Sequence, residues 1–232
     1  MNVKLFADGA DKKVMLEMYN NPLVSGLTTN PTLMRKAGIS NYKEFALDIL
    51  SLISDVSISF EVFSDDLNIM EEQALDIASW GENVYVKIPI TNTKGESTYQ
   101  LIENLAKHGV KVNVTAIMTV EQVKHILPAI KQCPAGYVSV FAGRIADTGV
   151  DPLPTMIEVV ELLKAYPNLE LIWASCRELY NIIQADEIDC HIITVPNDIF
   201  KKIPMIGTDL TNLSLDTVKM FYNDATLSGF SI

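Results

Sequence analysis

Cysteine and histidine are scarce in this 232-residue chain: Cys133, Cys176 and Cys190 stand beside His108, His125 and His191. The odd cysteine count and the lack of any CxxC exclude a disulfide framework and suit a reducing compartment, so a cytoplasmic location is expected. No HExxH, EF-hand loop or Cys/His cluster is present, and no metal site built on local spacing is expected. No apolar run approaches the ~18 residues of a membrane span. The opening MNVKLFADGAD has no apolar stretch after its basic residue and does not read as a signal peptide. Neither GxGxxG nor a P-loop occurs, so no cofactor of the dinucleotide or nucleotide kind is indicated. Basic residues are also short: Lys+Arg number 18 against 29 Asp+Glu, a formal net charge of -11. That balance argues against nucleic-acid or anionic-membrane partners. A small anionic substrate stays compatible, since a few arginines gathered at one pocket invert the local field.

Linkers, repeats and low-complexity tracts are absent as well, so residues 1–232 read as one domain. The hydrophobic fraction of 48% excludes a disordered chain. A chain of this length buries roughly 70–75% of its unfolded surface, enough for one sizeable core.

Eight short runs rich in β-branched residues read as buried strands: 4–8 (KLFAD), 25–29 (SGLTT), 57–63 (SISFEVF), 84–89 (VYVKIP), 111–116 (KVNVTA), 137–141 (YVSVF), 170–175 (ELIWAS) and 190–195 (CHIITV). Helical periodicity lies between several of them. Residues 41–54 stripe Phe45, Ile49, Leu52 and Ile53; 66–80 stripe Ile69, Met70, Ala74 and Ile77; 154–166 stripe Met156/Ile157, Val160 and Leu163. The 119–131 segment opens with a capping box, Thr119 and Gln122. Segments 177–185 and 197–203 complete the set, the latter with Asn197 as N-cap. Strands alternating with helices indicate parallel βαβ units. An open doubly wound sheet and a closed (β/α)8 TIM barrel both fit, and the strand count and length favour the barrel. A surplus amphipathic segment, 213–228, carries Leu215, Val218, Phe221/Tyr222 and Ala225 and cannot enter a ring of eight. It caps its own barrel or docks on a neighbour.

Polar residues at barrel-strand ends are informative, because burying them costs free energy unless they are paired, and barrel active sites gather at those ends. Asp8 ends the first run. Thr28 and Asn30 share a pleat face, as do Asn113 and Thr115, and Ser139 and Phe141. Glu61 and Lys87 sit inside apolar strands, and Arg144, Ser175 and Arg177 follow later ones. Lys87, between Val86 and Ile88, is the sharpest signal. Desolvation lowers a lysine pKa, and a neutral amine attacks a ketone carbonyl. The plainer reading is a lysine that reaches solvent or pairs with Glu61. Asp8 and Glu61 read as an acid–base pair or, more plainly, as a loop carboxylate and a partner for a buried cation.

The segments LFADGAD (5–11), TTNPTL (28–33), SFEV (59–62), VYVKIPIT (84–91), VNVTAI (112–117), SVFAGRIADTG (139–149), ASCR (174–177) and HIITVP (191–196) occur in this order on successive strands. In that order they resemble the short form of transaldolase, a family shared with fructose-6-phosphate aldolase, through essentially the whole chain. The resemblance implies a TIM barrel and a class I aldol mechanism without metal or cofactor. Lys87 matches the Schiff-base lysine and Asp8 the carboxylate that moves the sugar hydroxyl proton. Glu61 and Thr115 match the pair holding the catalytic water. Thr28, Asn30, Asn113 and Ser139 match substrate-binding positions, and Arg144, Ser175 and Arg177 the phosphate group. Gly9 and Cys176 depart from the family's usual Thr and aromatic residue.

The aldolase type carries Gln at position 61 and Tyr at position 141, the transferase type Glu and Phe. Glu61 and Phe141 therefore imply a transaldolase that moves a dihydroxyacetone unit between ketose and aldose phosphates. Fructose-6-phosphate aldolase is the alternative. A barrel that only binds sugar phosphates would keep Arg144 and Ser175 without needing Lys87, Asp8 and Glu61 together. Short transaldolases further imply a pentameric or decameric homo-oligomer with the C-terminal helix on a neighbour, and a role in the pentose phosphate pathway or a dedicated sugar biosynthesis.

Overall fold

A computed structural model describes residues 1–229. Eight parallel strands close into a barrel in chain order: β1 (Lys4–Asp8), β2 (Val24–Thr28), β3 (Ser57–Glu61), β4 (Val84–Pro89), β5 (Val112–Ile117), β6 (Gly136–Val140), β7 (Leu169–Trp173) and β8 (Ile192–Pro196). This is the TIM barrel expected from the alternation, and each strand lies within two residues of its expected limits.

The helices between them are α1 (Lys12–Tyr19), α2 (Pro31–Lys36), α3 (Tyr42–Leu52), α4 (Leu67–Ala78), α5 (Tyr99–Lys107), α6 (Val120–Ile130), α7 (Ala142–Asp147), α8 (Leu153–Leu163), α9 (Tyr180–Glu187) and α10 (Asn197–Phe200). The capping box of α6 is formed: Thr119 accepts from the Gln122 amide and the Gln122 side chain accepts from the Thr119 amide. Four helices, α1, α2, α5 and α7, were not expected. Two of these are only six residues long, too short for a stripe to register against the background.

Three stripe residues face outward instead of inward. Leu52, Ile69 and Ile157 are exposed, while α3 turns Ala46, Ile49 and Leu50 to the core. The barrel wall needs a narrower strip of each helix than the periodicity offers. Asn197 is not an N-cap: Pro196 holds that place and the Asn197 side chain makes no capping bond.

Pleat alternation splits each strand. Outward side chains such as Ile58, Val86, Ile88 and Val114 are fully buried under the helices, each contributing about 1.5–3 kcal/mol. Inward side chains form layers. Phe6, Tyr137, Ile172 and Ile192 pack together with Tyr85 in the lower layer. Tyr85 stacks on Tyr137 with ring centroids 4.0 Å apart, and Phe6 meets Tyr137 edge-on at 5.7 Å. Gly26 makes room for this layer, since a Cβ there would lie 2.6 Å from the Phe6 ring. Above it, the inward positions turn polar on most strands, with Asp8, Thr28, Lys87, Ser139 and Thr194, while the exit of β7 keeps Ala174.

The helix α11 (Leu210–Ser228) runs between an Asp209 N-cap and a left-handed Gly229. None of its residues is buried, and Phe221 and Tyr222 are 63% and 71% exposed. It does not cap its own barrel.

Candidate active site

The upper polar layer and the loops around it enclose a cavity of about 480 Å³. Asp8, Thr28, Asn30, Glu61, Lys87, Asn113, Thr115, Ser139, Phe141, Arg144, Ser175 and Arg177 all line it. The chain places these residues on seven different strands or their exits, and barrel closure alone brings them together.

Lys87 stands at the centre, 7% exposed. Its Nζ donates to the Thr29 carbonyl at 3.1 Å and lies 3.4 Å from Glu61 Oε2. The register explains this neighbourhood: β3 and β4 pair Glu61 with Lys87, and β4 and β5 pair Lys87 with Asn113. Glu61 is pinned from behind. The Tyr42 hydroxyl accepts from the Glu61 amide and donates to its carbonyl, both at 2.8 Å. Burial raises the Tyr42 pKa and keeps that proton in place.

Asp8 pairs in register with Thr28, whose hydroxyl donates to Asp8 Oδ1 at 2.9 Å. Burial raises the Asp8 pKa from its ordinary value; the Lys87 charge and the Thr28 hydrogen bond pull the other way and recover only part of the shift. A carboxyl with this balance holds a proton more readily than a surface aspartate. On the opposite wall Ser139 donates to Asn113 Oδ1 at 2.7 Å and Asn113 donates to Ser59 Oγ at 3.0 Å. Thr115 Oγ1 is buried and has no hydrogen-bond partner among the described residues. An orphaned hydroxyl in a polar cavity is a seat for water or substrate.

Asn30 serves a second purpose. Its Oδ1 accepts from the Leu33 amide as N-cap of α2, which leaves the amide nitrogen for the cavity. Two cavity residues have left-handed backbones without being glycine: Ala116 at φ 61° and Ser175 at φ 62°. Such conformations cost about 1–2 kcal/mol each and gather at functional sites. Ala116 lies where the β5–β6 register breaks.

The arginine-bearing end of the cavity is built from the exits of β6 and β7. The Arg144 guanidinium lies 5.7 Å from the Phe141 ring. Arg177 Nε and a terminal nitrogen bind the two Asp147 oxygens at 3.0 and 2.5 Å. Cys176, the residue before Arg177, is buried, its thiol donates to the Glu178 carbonyl at 3.3 Å, and burial pushes its pKa up to about 12. It is not a nucleophile at neutral pH.

Several residues in or behind the cavity wall were missed. Ser59 alternates with Glu61 on one strand, a pattern that marks it as inward. Thr194, polar inside the apolar run IITV, also lines the cavity and carried the same signal. Nothing in the sequence marks Tyr42 or Asp147. Among the described residues no group of three His, Cys, Asp or Glu side chains is disposed to hold a metal, and no helix is long and apolar enough to cross a membrane.

These observations define a TIM-barrel protein with a polar mouth centred on a buried lysine. Solved structures agree on the fold: KGPDC from Streptococcus mutans superposes with a TM-score of 0.59 over 87% of this chain and 91% of that one, at 12% identity. The KDPGal structure gives a TM-score of 0.58 at 10% identity, covering 84% and 83%. Closer kinship lies in sequence. The Transaldolase/Fructose-6-phosphate aldolase family model matches residues 5–231. A probable transaldolase of Caldicellulosiruptor saccharolyticus is 36% identical over 92% of this chain and 94% of its own length. One from a Thermoanaerobacter species is 33% identical over 97% and 99%. The chain belongs to the transaldolase/fructose-6-phosphate aldolase family.

Proposed function

We propose that this protein is a transaldolase that carries a dihydroxyacetone unit on Lys87. The observation that carries the reading is the buried amine itself, enclosed with Glu61 and facing the Asp8–Thr28 pair in one cavity. Lys87, freed of its proton, attacks the C2 carbonyl of fructose 6-phosphate or sedoheptulose 7-phosphate. Glu61, 3.4 Å from Nζ, accepts that proton directly or through a water held with Thr115. Loss of water from the carbinolamine leaves an iminium, which is an electron sink. Asp8 takes the C4 hydroxyl proton, the C3–C4 bond breaks, and its electron pair enters the iminium as an enamine. The aldose phosphate departs. An incoming aldose phosphate, erythrose 4-phosphate or glyceraldehyde 3-phosphate, is attacked by the enamine, Asp8 returns the proton to the new hydroxyl, and water releases the ketose. The raised Asp8 pKa suits both directions of transfer. Asn30, Asn113 and Ser139 hold the sugar hydroxyls. Arg144, Ser175 and Arg177 hold the phosphate and fix the carbon chain in line.

Fructose-6-phosphate aldolase is the second reading, since the family covers both reactions. Phe141 at the mouth offers no hydroxyl to protonate the enamine, which favours transfer. Metal-independent chemistry, a cytoplasmic place in pentose phosphate metabolism and a homo-oligomeric assembly through α11 complete the proposal.

Borohydride reduction in the presence of fructose 6-phosphate should add a three-carbon mass to the Lys87 peptide, and Lys87→Met should remove it. Failure to find the adduct on folded protein rejects the reading. Incubation with and without erythrose 4-phosphate decides between the two reactions. Release of free dihydroxyacetone without acceptor, as fast as transfer with it, makes the protein an aldolase.

A further inference from the structure

Arg177 differs from the other groups at the anion end in that it is already held by an acid. Asp147 takes two of the five N–H donors of its guanidinium, Nε–H and one terminal N–H, in a two-pronged contact. Arg177 lines the cavity, whereas Asp147 lies behind it and does not. The Arg177 side chain is 46% exposed, so without a partner it would sample many rotamers. Gripped from behind, the planar group keeps three N–H donors free. Its backbone amide is also fixed, donating to Asn181 Oδ1 at 2.9 Å.

A second contact ties the same helix to the same segment. Gly143 of α7 lies so close to the 174–177 turn that a Cβ there would fall 1.6 Å from the Ser175 carbonyl oxygen. Positions 143 and 147 are one helical turn apart and share a face, while Arg144 is rotated toward the cavity. One short helix thus presents one arginine to the cavity and braces the other. Hydrogen bonding to Arg177 and its charge also lower the Asp147 pKa, so the grip persists well below neutral pH.

We propose that Asp147 is a positioning residue for phosphate recognition: it aims the Arg177 guanidinium into the cavity and, with Gly143 against Ser175, holds the β6 and β7 halves of the anion subsite at one spacing. The proposal rests on Arg177 as a phosphate ligand in the reading above. Two effects of removing Asp147 oppose each other. Loss of a nearby negative charge strengthens anion binding, and loss of orientation weakens it. The contact is exposed and its charge effect screened, so orientation prevails.

The test is calorimetric binding of inorganic phosphate to the wild type, Asp147→Asn, Asp147→Glu, Arg177→Gln and the Asp147→Asn/Arg177→Gln double variant. Asp147→Asn should weaken binding about tenfold, the loss of roughly one charge-assisted hydrogen bond, and Asp147→Glu should recover part of it. In the Arg177→Gln background Asp147→Asn should add nothing. With saturating donor, Asp147→Asn should raise KM for glyceraldehyde 3-phosphate and leave KM for unphosphorylated glyceraldehyde unchanged. Tighter phosphate binding in Asp147→Asn, an equal loss in both backgrounds, or no phosphate binding by the wild type overturns the proposal. Because phosphate binding needs no turnover, these outcomes stand apart from failure of Lys87 trapping, which would overturn the catalytic reading alone.

Discussion

Asp8 is a residue whose ionised state opposes the fold. Its pKa is raised, chiefly by burial, so the folded protein binds its proton more tightly than the unfolded chain does. The stability linked to that proton is fully present below the unfolded value of about 3.9 and is lost as pH rises through the folded value. Giving up that proton inside the fold is therefore a net cost. Asp8→Asn removes the charge yet keeps an oxygen to accept from Thr28. The variant should melt above the wild type at pH 7, the gap closing as pH falls toward ~3.9, while transfer activity falls by about 10²–10⁴-fold. A lower melting temperature at pH 7 would show that the carboxylate is structural. Single residues like this one were readable in the sequence because pleat alternation turns a polar residue in an apolar strand inward. Lys87, Glu61 and Asn113 stood out for that reason. What alternation does not reveal is the partner, which depends on register between strands far apart in the chain, as with Glu61 opposite Lys87. Nor does it reveal left-handed backbone at Ala116 and Ser175, residue types with no local preference for it.

Strands and helices were less evenly readable. Buried strands announce themselves through β-branched runs, and all eight lie close to their expected limits. Short helices such as α2 and α7 do not, since six residues hold under two turns of periodicity. The missed α7 is the helix whose Asp147 grips Arg177, and this is why Asp147 escaped notice. Layering inside the barrel is also set by packing between strands. Gly26 on β2 faces Phe6 on β1, and the buried Phe6 ring is held edge-on against Tyr137. Gly26→Ala should cost about 1–3 kcal/mol by overpacking, measured by denaturant unfolding. Phe6→Leu in the same chain should recover most of the loss. An Ala at 26 without penalty would mean that the lower layer is loosely packed.

Across the whole molecule one element has no place in the barrel. The helix α11 spans 19 residues, roughly 28 Å at 1.5 Å per residue, and a lone helix of that length is marginal in water. It has a capped start and a left-handed stop, yet none of its side chains is buried. Leu215, Val218, Phe221 and Tyr222 repeat at helical spacing and are all exposed. Tertiary packing normally supplies most of a helix's stability, so this stripe needs a surface, and its own barrel does not provide one. A contiguous exposed apolar face on an otherwise acidic protein marks an interaction site. A second copy of the chain, as proposed above, satisfies both needs at once. The expected result is a sedimentation coefficient well above that of a monomer at micromolar concentration. Because association adds to folding free energy, the melting temperature should rise with protein concentration. Phe221→Asp with Tyr222→Asp should abolish both effects and shift the protein to monomer. A monomeric wild type at micromolar concentration would remove self-association and leave the stripe to another partner.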